Sequence, residues 1–110
     1  MSKPISIQIG NLLYKHFYPV YNIVYPIFKN RQDADEINYL KKIIKPGDTI
    51  LDIGANIGFY SKILSKCTGT YGKVHSFEPD VINFKHLRKN TGQLVNVVLN
   101  NKAVSDKSGT

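Results

Sequence analysis

The chain has 110 residues, of which 42% are hydrophobic and 21% are charged, proportions that exclude a disordered chain. Its length allows one domain at most. Lys and Arg number 15 against 8 Asp and Glu; the resulting net charge of +7 favours an anionic partner, although solvated helix faces account for scattered lysines more simply.

A single cysteine, Cys67, excludes an intrachain disulfide and offers no spacing for a zinc site. We therefore expect a reducing compartment and predict a cytoplasmic protein without a metal site. No secretory leader is evident. The only apolar region is interrupted by Lys15, His16, Pro19 and Pro26, well short of the roughly 18 residues that a membrane span needs.

Residues 1–30 are predicted to form an aromatic helical extension with two stripes of helical period. One stripe is hydrophobic and the other is made of tyrosines: Leu13, Phe17, Val20, Val24 and Ile27 beside Tyr14, Tyr18, Tyr21 and Tyr25. Pro19 and Pro26 are expected to kink or end the helix, which would leave two or three short pieces. Three roles remain open: packing against the main domain, a lid over a substrate pocket, or peripheral membrane contact helped by Lys3, Lys15 and Lys29.

Residues 31–110 alternate helical and strand patterns and are predicted to form a second region. The predicted elements are a helix over 31–45, strands over 49–53, 73–77 and 96–99, and helices over 57–66 and 80–90, the last capped by Asp80. This βαβαβ order predicts an α/β fold with a doubly wound, mainly parallel sheet. Strand 49–53 is apolar enough to lie in the middle of such a sheet.

The stretch Ile50 to Ser61, which reads I-L-D-I-G-A-N-I-G-F-Y-S, is the centre of the predicted functional site. A buried strand, a tight turn and a helix N-terminus follow one another here, as they do where an α/β sheet holds a polar or anionic ligand at its carboxyl edge. A side chain at Gly54 or Gly58 would keep such a ligand from the backbone.

Two carboxylates narrow the choice of ligand. Glu78 follows the second strand, where an acid can accept both hydroxyl hydrogens of a ribose. Asp52 would repel a pyrophosphate but favours a ligand that carries an ammonium and a sulfonium. The glycines are spaced G-x-x-x-G, unlike the G-x-G-x-x-G of dinucleotide sites. The residues therefore fit S-adenosylmethionine better than a nicotinamide dinucleotide.

The same segments resemble a known family. The runs P-G-D, L-D-I-G-A-N-I-G-F-Y-S, G-K-V-H-S-F-E-P-D and N-V-V-L-N-N-K-A-V-S-D, over about residues 33–110, closely resemble the FkbM family of S-adenosylmethionine-dependent methyltransferases. The resemblance implies a Rossmann-like class I methyltransferase fold and methylation of a hydroxyl oxygen on a sugar or secondary metabolite. It also implies a cofactor site: Asp52, Gly54, Ala55, Asn56 and Gly58 on the methionine side, Glu78 at the ribose and Ala103 beside the adenine.

The family's sheet has seven strands, whereas three are predicted here. We therefore expect the N-terminal, cofactor-binding half of a truncated methyltransferase, with an unpaired sheet edge and no catalytic residue that can be nominated. A small-molecule or glycan acceptor is expected. No nucleic-acid partner is expected, since no base-stacking motif such as an N-P-P-Y loop is present. The alternative is a non-catalytic remnant that binds an anionic partner through its basic surface.

Overall fold

The computed structural model describes residues 5–104, apart from the side chain of Ser6. Its elements in chain order are α1 (Ile5–His16), α2 (Tyr18–Gln32), α3 (Ala34–Ile43), β1 (Thr49–Ile53), α4 (Phe59–Thr68), β2 (Lys73–Phe77), α5 (Val81–Thr91) and β3 (Val97–Asn100). The chain divides into two compact units, Met1–Asn38 and Tyr39–Thr110; α1 and α2 belong to the first, β1 to β3 with α4 and α5 belong to the second, and the boundary falls within α3. The predictions that involve Lys3 and residues 105–110 lie outside the described residues, and the division into an extension of 1–30 and a region of 31–110 stays a prediction.

In the first unit, α1 and α2 pack against each other and bring the tyrosine stripe together. The ring centroids of Tyr14 and Tyr21 are 5.2 Å apart in an edge-to-face arrangement, and those of Tyr21 and Tyr25 are 5.0 Å apart and stacked. Burial raises the pKa of the Tyr21 hydroxyl. The tyrosines are thus half-buried on one another, whereas the hydrophobic stripe of α2 is exposed: Phe17, Val20, Val24 and Ile27.

Proline separates helices at one of the two predicted places. α1 and α2 are divided at Phe17, and Pro19 lies in the first turn of α2, where its missing N–H has no intrahelical partner to lose. Pro26 lies inside α2, which continues to Gln32, so of the kink or end expected at this proline the end is wrong, whereas the two helices α1 and α2 agree with the expected two or three pieces. Because α2 runs further than predicted, Asp33 caps its C-terminus and accepts a hydrogen bond from Lys29 Nζ at 2.9 Å.

In the second unit, the three strands form one parallel sheet in the order β1-β2-β3. The bounds predicted for β1 and β2 are confirmed, and β3 begins one residue later than predicted. Asp80 caps α5 as predicted, because its Oδ1 accepts a hydrogen bond from the backbone N–H of Asn83 at 2.8 Å. A parallel βαβαβ unit of this kind is the core of a Rossmann-like fold.

Helices cover one face of this sheet. Ile44, directly after α3, packs with Leu64 of α4 and Val74 of β2, and α5 adds a second apolar cluster around Leu87. On the other face, the side chains of Leu51 and Ile53 are each 61% exposed. Within the described residues β1 lies at one edge of the three-stranded sheet, and its place in the middle of a larger sheet stays a prediction. None of the described helices is long and apolar enough to cross a membrane.

Candidate functional site

The turn of residues 54–58 joins β1 to α4 at the carboxyl edge of the sheet. It is held against β2, because the backbone N–H groups of Gly54 and Ala55 both donate to the carbonyl oxygen of Phe77 at 2.9 Å. Gly54 has a φ of +73°, and a Cβ there would have no neighbouring atom within 4 Å. The backbone at Gly54 is therefore open, as the prediction of a close ligand approach requires.

Gly58 serves a different purpose. Its φ is +101°, and an added Cβ would lie 2.9 Å from Thr91 Cγ2 and 3.1 Å from Leu87 Cδ1. The absent side chain makes room for α5 rather than for a ligand. α5 also holds the turn directly, since Asn90 Nδ2 donates to the carbonyl oxygen of Ile57 at 2.8 Å.

Ala55 and Asn56 complete the turn in different ways. The side chain of Ala55 is buried in the apolar cluster with Phe84 and Leu87 and contributes to packing. Asn56 has an exposed side chain and a φ of +57°, a conformation that residues other than glycine seldom adopt, although asparagine tolerates it.

Glu78 follows β2 directly and is 6% exposed. Its Oε1 accepts a hydrogen bond from the backbone N–H of Asn56 at 2.7 Å, and its Oε2 accepts one from the backbone N–H of Asp80 at 2.9 Å. The carboxylate therefore joins the turn after β1 to the turn after β2. Each oxygen retains a further lone pair for a hydroxyl donor. Sequence reasoning placed Glu78 at this edge but missed its structural role.

Asp52 lies in β1 beneath the turn and is connected to a chain of buried hydroxyls. Its Oδ2 accepts a hydrogen bond from Ser61 Oγ at 2.6 Å, and Ser61 Oγ is also hydrogen-bonded to Ser76 Oγ at 2.8 Å. Burial raises the pKa of the Asp52 carboxyl, and the hydrogen bond from Ser61 lowers it in part. Asp52 is thus a partly desolvated carboxylate, which a nearby cation would interact with strongly.

Sequence reasoning did not single out these serines, although a signal for them exists. The buried face of α4 carries Ser61, Ser65 and Thr68, which recur at helical spacing where hydrophobic side chains would be expected. Ser65 Oγ donates to Asn96 Oδ1, and Asn96 Nδ2 donates back to the carbonyl oxygen of Ser65 at 2.9 Å. A polar stripe facing the core indicates a buried hydrogen-bond network, since buried polar groups need partners.

The loop after β3 reaches the same edge of the sheet. Asn101 Nδ2 donates to the carbonyl oxygens of Glu78 at 2.8 Å and Pro79 at 3.2 Å, which attaches this loop to the turn after β2. Ala103 follows in the same loop and is exposed. The predicted site residues of the three strand ends are therefore carried by turns that hydrogen-bond to one another. Among the residues described, no group of three His, Cys, Asp or Glu side chains is placed to hold a metal ion.

The chain is similar in sequence and in fold to S-adenosylmethionine-dependent methyltransferases. It is 45% identical over 49 residues to the Ribosomal RNA large subunit methyltransferase E of Wigglesworthia glossinidia brevipalpis, a match that covers 44% of this chain and 24% of the relative. The chain thus spans about a quarter of the length of that relative, and 21% of the corresponding protein from Neisseria gonorrhoeae. No protein-family model matches the chain, so membership of the FkbM family stays a prediction.

Solved structures agree on the fold. A SAM-dependent O-methyltransferase from Thermotoga maritima matches with a TM-score of 0.60 and 22% identity, over 68% of this chain and 30% of that protein. The 23S rRNA methyltransferase ErmE matches with a TM-score of 0.54 and 19% identity, over 68% of this chain and 31% of that protein. The predicted Rossmann-like fold of the class I methyltransferases is thereby confirmed.

These matches contradict the predicted partners, a small-molecule or glycan acceptor without nucleic acid. The curated relatives from Wigglesworthia glossinidia brevipalpis and Neisseria gonorrhoeae are both ribosomal RNA methyltransferases. The prediction relied on the absence of a base-stacking motif. That test was too narrow, because proteins also bind nucleic acid through phosphate contacts made by lysine and arginine, which need no such motif.

Proposed function

We propose that the chain is the cofactor-binding part of an S-adenosylmethionine-dependent methyltransferase that acts on RNA. The observation that carries the proposal is the arrangement at the sheet edge: an open glycine backbone at Gly54 between the carboxylates of Asp52 and Glu78. The similarity to rRNA methyltransferases supports both the activity and the substrate.

The residues at this edge fit the cofactor. The space around Gly54 admits a ligand to the backbone, and the partly buried Asp52 carboxylate suits a ligand with positive charge at that end. Glu78 and the exposed Ala103 are assigned to the ribose and the adenine. S-Adenosylmethionine supplies an electrophilic methyl group when bound, so the protein's part is to align the acceptor and to exclude water.

The resemblance to the FkbM family further suggests an oxygen acceptor. RNA offers one in each nucleotide, the ribose 2′-hydroxyl. Within this proposal, the glycine turn and its two carboxylates hold the cofactor, and a basic surface recruits the substrate. The cytoplasmic location predicted from the single cysteine stays a prediction.

The proposal is tested by calorimetric titration of S-adenosylhomocysteine, the reaction product, into the 110-residue chain. We expect saturable binding that Asp52→Asn weakens about tenfold or more, since a charge-assisted contact is lost. Asp80→Asn is the matched control, because it removes a carboxylate from the same sheet edge while asparagine caps α5 equally well. A folded, monodisperse sample without binding would contradict the proposal and favour the non-catalytic alternative.

A further inference from the structure

The outer surfaces of α4 and α5 carry cations and no carboxylate. Lys62 and Lys66 are exposed on α4, and Lys85, Arg88 and Lys89 are exposed on α5. Neither helix contains an aspartate or a glutamate. The spacing of four residues within α4, and of three and four within α5, places each set on one side of its helix.

The described carboxylates of this unit accept hydrogen bonds elsewhere in the fold and do not pair with these cations. Each one described between residues 39 and 104 accepts an internal hydrogen bond: Asp48 from Lys45 N, Asp52 from Ser61 Oγ, Glu78 from two backbone N–H groups, and Asp80 from Asn83 N. Within that part of the chain, none of the five cations of α4 and α5 forms an ion pair. Ordinary solvated helices mix both signs of charge, so this surface is unusual in attracting one sign of partner.

Both helices adjoin the candidate cofactor site. α4 begins at Phe59, directly after Gly58, the last residue of the glycine turn. α5 contacts the same turn through Asn90, whose Nδ2 donates to the Ile57 carbonyl oxygen at 2.8 Å. A polyanion attracted to these helices would therefore lie near the turn. The guanidinium of Arg88 is 5.0 Å from the centroid of the Phe84 ring, which keeps this side chain on the helix surface.

We infer that the outer faces of α4 and α5 bind the phosphate backbone of the RNA substrate, a step that rests on the proposed function. Lysine and arginine contacts to phosphate position a nucleic acid without reading its sequence. Contacts to the bases would be made by other parts of the site. This surface would hold the RNA while the turn of residues 54–58, which adjoins both helices, holds the cofactor.

The test compares two triple variants of the full chain. The first removes the basic residues of α5 (Lys85→Gln, Arg88→Gln and Lys89→Gln). The control removes three exposed lysines in and just after α3, with the same loss of net charge in the same unit (Lys41→Gln, Lys42→Gln and Lys45→Gln). Affinity for a labelled rRNA hairpin is measured over a range of salt concentrations, and S-adenosylhomocysteine binding is measured separately by calorimetry.

We expect the α5 variant to bind RNA about tenfold more weakly than wild type. The slope of its affinity against salt concentration should correspond to about two to three fewer phosphate contacts, while the affinity and the slope of the control change little. Equal losses in both variants would overturn the inference, because net charge alone would then explain binding. Wild-type binding to anionic phosphatidylserine vesicles but not to RNA would overturn it too. If the wild type binds RNA and S-adenosylhomocysteine but the variants do not differ, this inference alone fails. If the folded wild type binds no S-adenosylhomocysteine, the proposed function fails.

Discussion

Glu78 and Asn56, 22 positions apart in the sequence, are joined by a hydrogen bond of 2.7 Å between a carboxylate oxygen and a backbone N–H. The same carboxylate accepts from the backbone of Asp80. One buried side chain thus fixes the two turns that would surround a cofactor. The acid that the sequence assigns to the ligand alone thus also determines the shape of the site.

We therefore expect Glu78→Ala to lower the free energy of unfolding by about 2–3 kcal/mol, since two backbone donors lose a charged acceptor. Glu78→Gln keeps one carbonyl oxygen, so its free energy of unfolding should lie between those of Glu78→Ala and wild type. Urea unfolding measures both variants. If the alanine variant were as stable as wild type, Glu78 would have no structural role and its contribution would be to ligand binding alone.

We expect Asp52→Asn to weaken cofactor binding and to raise the free energy of unfolding at neutral pH. Burial raises the pKa of Asp52 above its value in the unfolded chain. Between these two values the folded state binds more protons, so the free energy of unfolding falls as pH rises through that interval. Asparagine abolishes this fall, and we expect the variant to be more stable than wild type at neutral pH. Urea unfolding between about pH 4 and 7 tests this. A variant less stable than wild type at neutral pH would contradict it.

Ser61→Ala should shift the pH dependence of cofactor binding. The hydrogen bond from Ser61 lowers the pKa of Asp52, so its removal raises that pKa further. Binding uses the ionised carboxylate. As the pH is lowered, the variant should therefore lose affinity for S-adenosylhomocysteine at a higher pH than wild type does.

Ser65→Ala is the matched control for Ser61→Ala. Ser65 lies one turn further along α4 and donates to Asn96 instead of Asp52. Both variants should lose about 1–2 kcal/mol of stability, since each removes a buried hydrogen bond. The pH shift should appear in Ser61→Ala alone, and a shift of equal size in both would show that Ser61 does not act through Asp52.

Gly58→Ala and Gly54→Ala should separate packing from ligand access. The Cβ at position 58 would press on Thr91 and Leu87, so we expect a loss of about 2–3 kcal/mol of stability. At position 54 the space is open, so we expect Gly54→Ala to lower stability only by the cost of the positive φ, about 1 kcal/mol. The same methyl group should block cofactor binding. Thr91→Ser removes the methyl group in contact, so adding it to Gly58→Ala should restore part of the stability. No recovery would show that the strain lies in the backbone.

Much of the α/β unit is predictable from local patterns. β1 and β2 begin and end at the predicted residues, and Asp80 caps α5, because each of these features depends on the residues next to it in the sequence. The break before Pro19 is predictable for the same reason. The passage of α2 through Pro26 is not, since packing with α1 can compensate for one lost helical hydrogen bond.

The sequence predicts the candidate site as a set of residues but not as a structure. The spacing of Asp52, Gly54 and Glu78 around a strand and a turn indicates which residues to consider, and their binding of a cofactor stays a prediction. The hydroxyl chain from Asp52 through Ser61 to Ser76 joins three elements, and no local pattern reports which of them meet. The two glycines look alike in the sequence, yet α5 packs against Gly58 and leaves Gly54 open. Only the tertiary structure distinguishes them.

The left-handed backbone at Asn56 should restrict which residues relatives of this chain carry at position 56. A residue at φ +57° whose N–H must reach Glu78 has few acceptable side chains: asparagine, aspartate and glycine adopt this conformation readily, whereas valine, isoleucine and threonine do not. We therefore expect few residue types at position 56. In relatives that keep the carboxylate at position 78, position 56 should therefore stay among asparagine, aspartate and glycine.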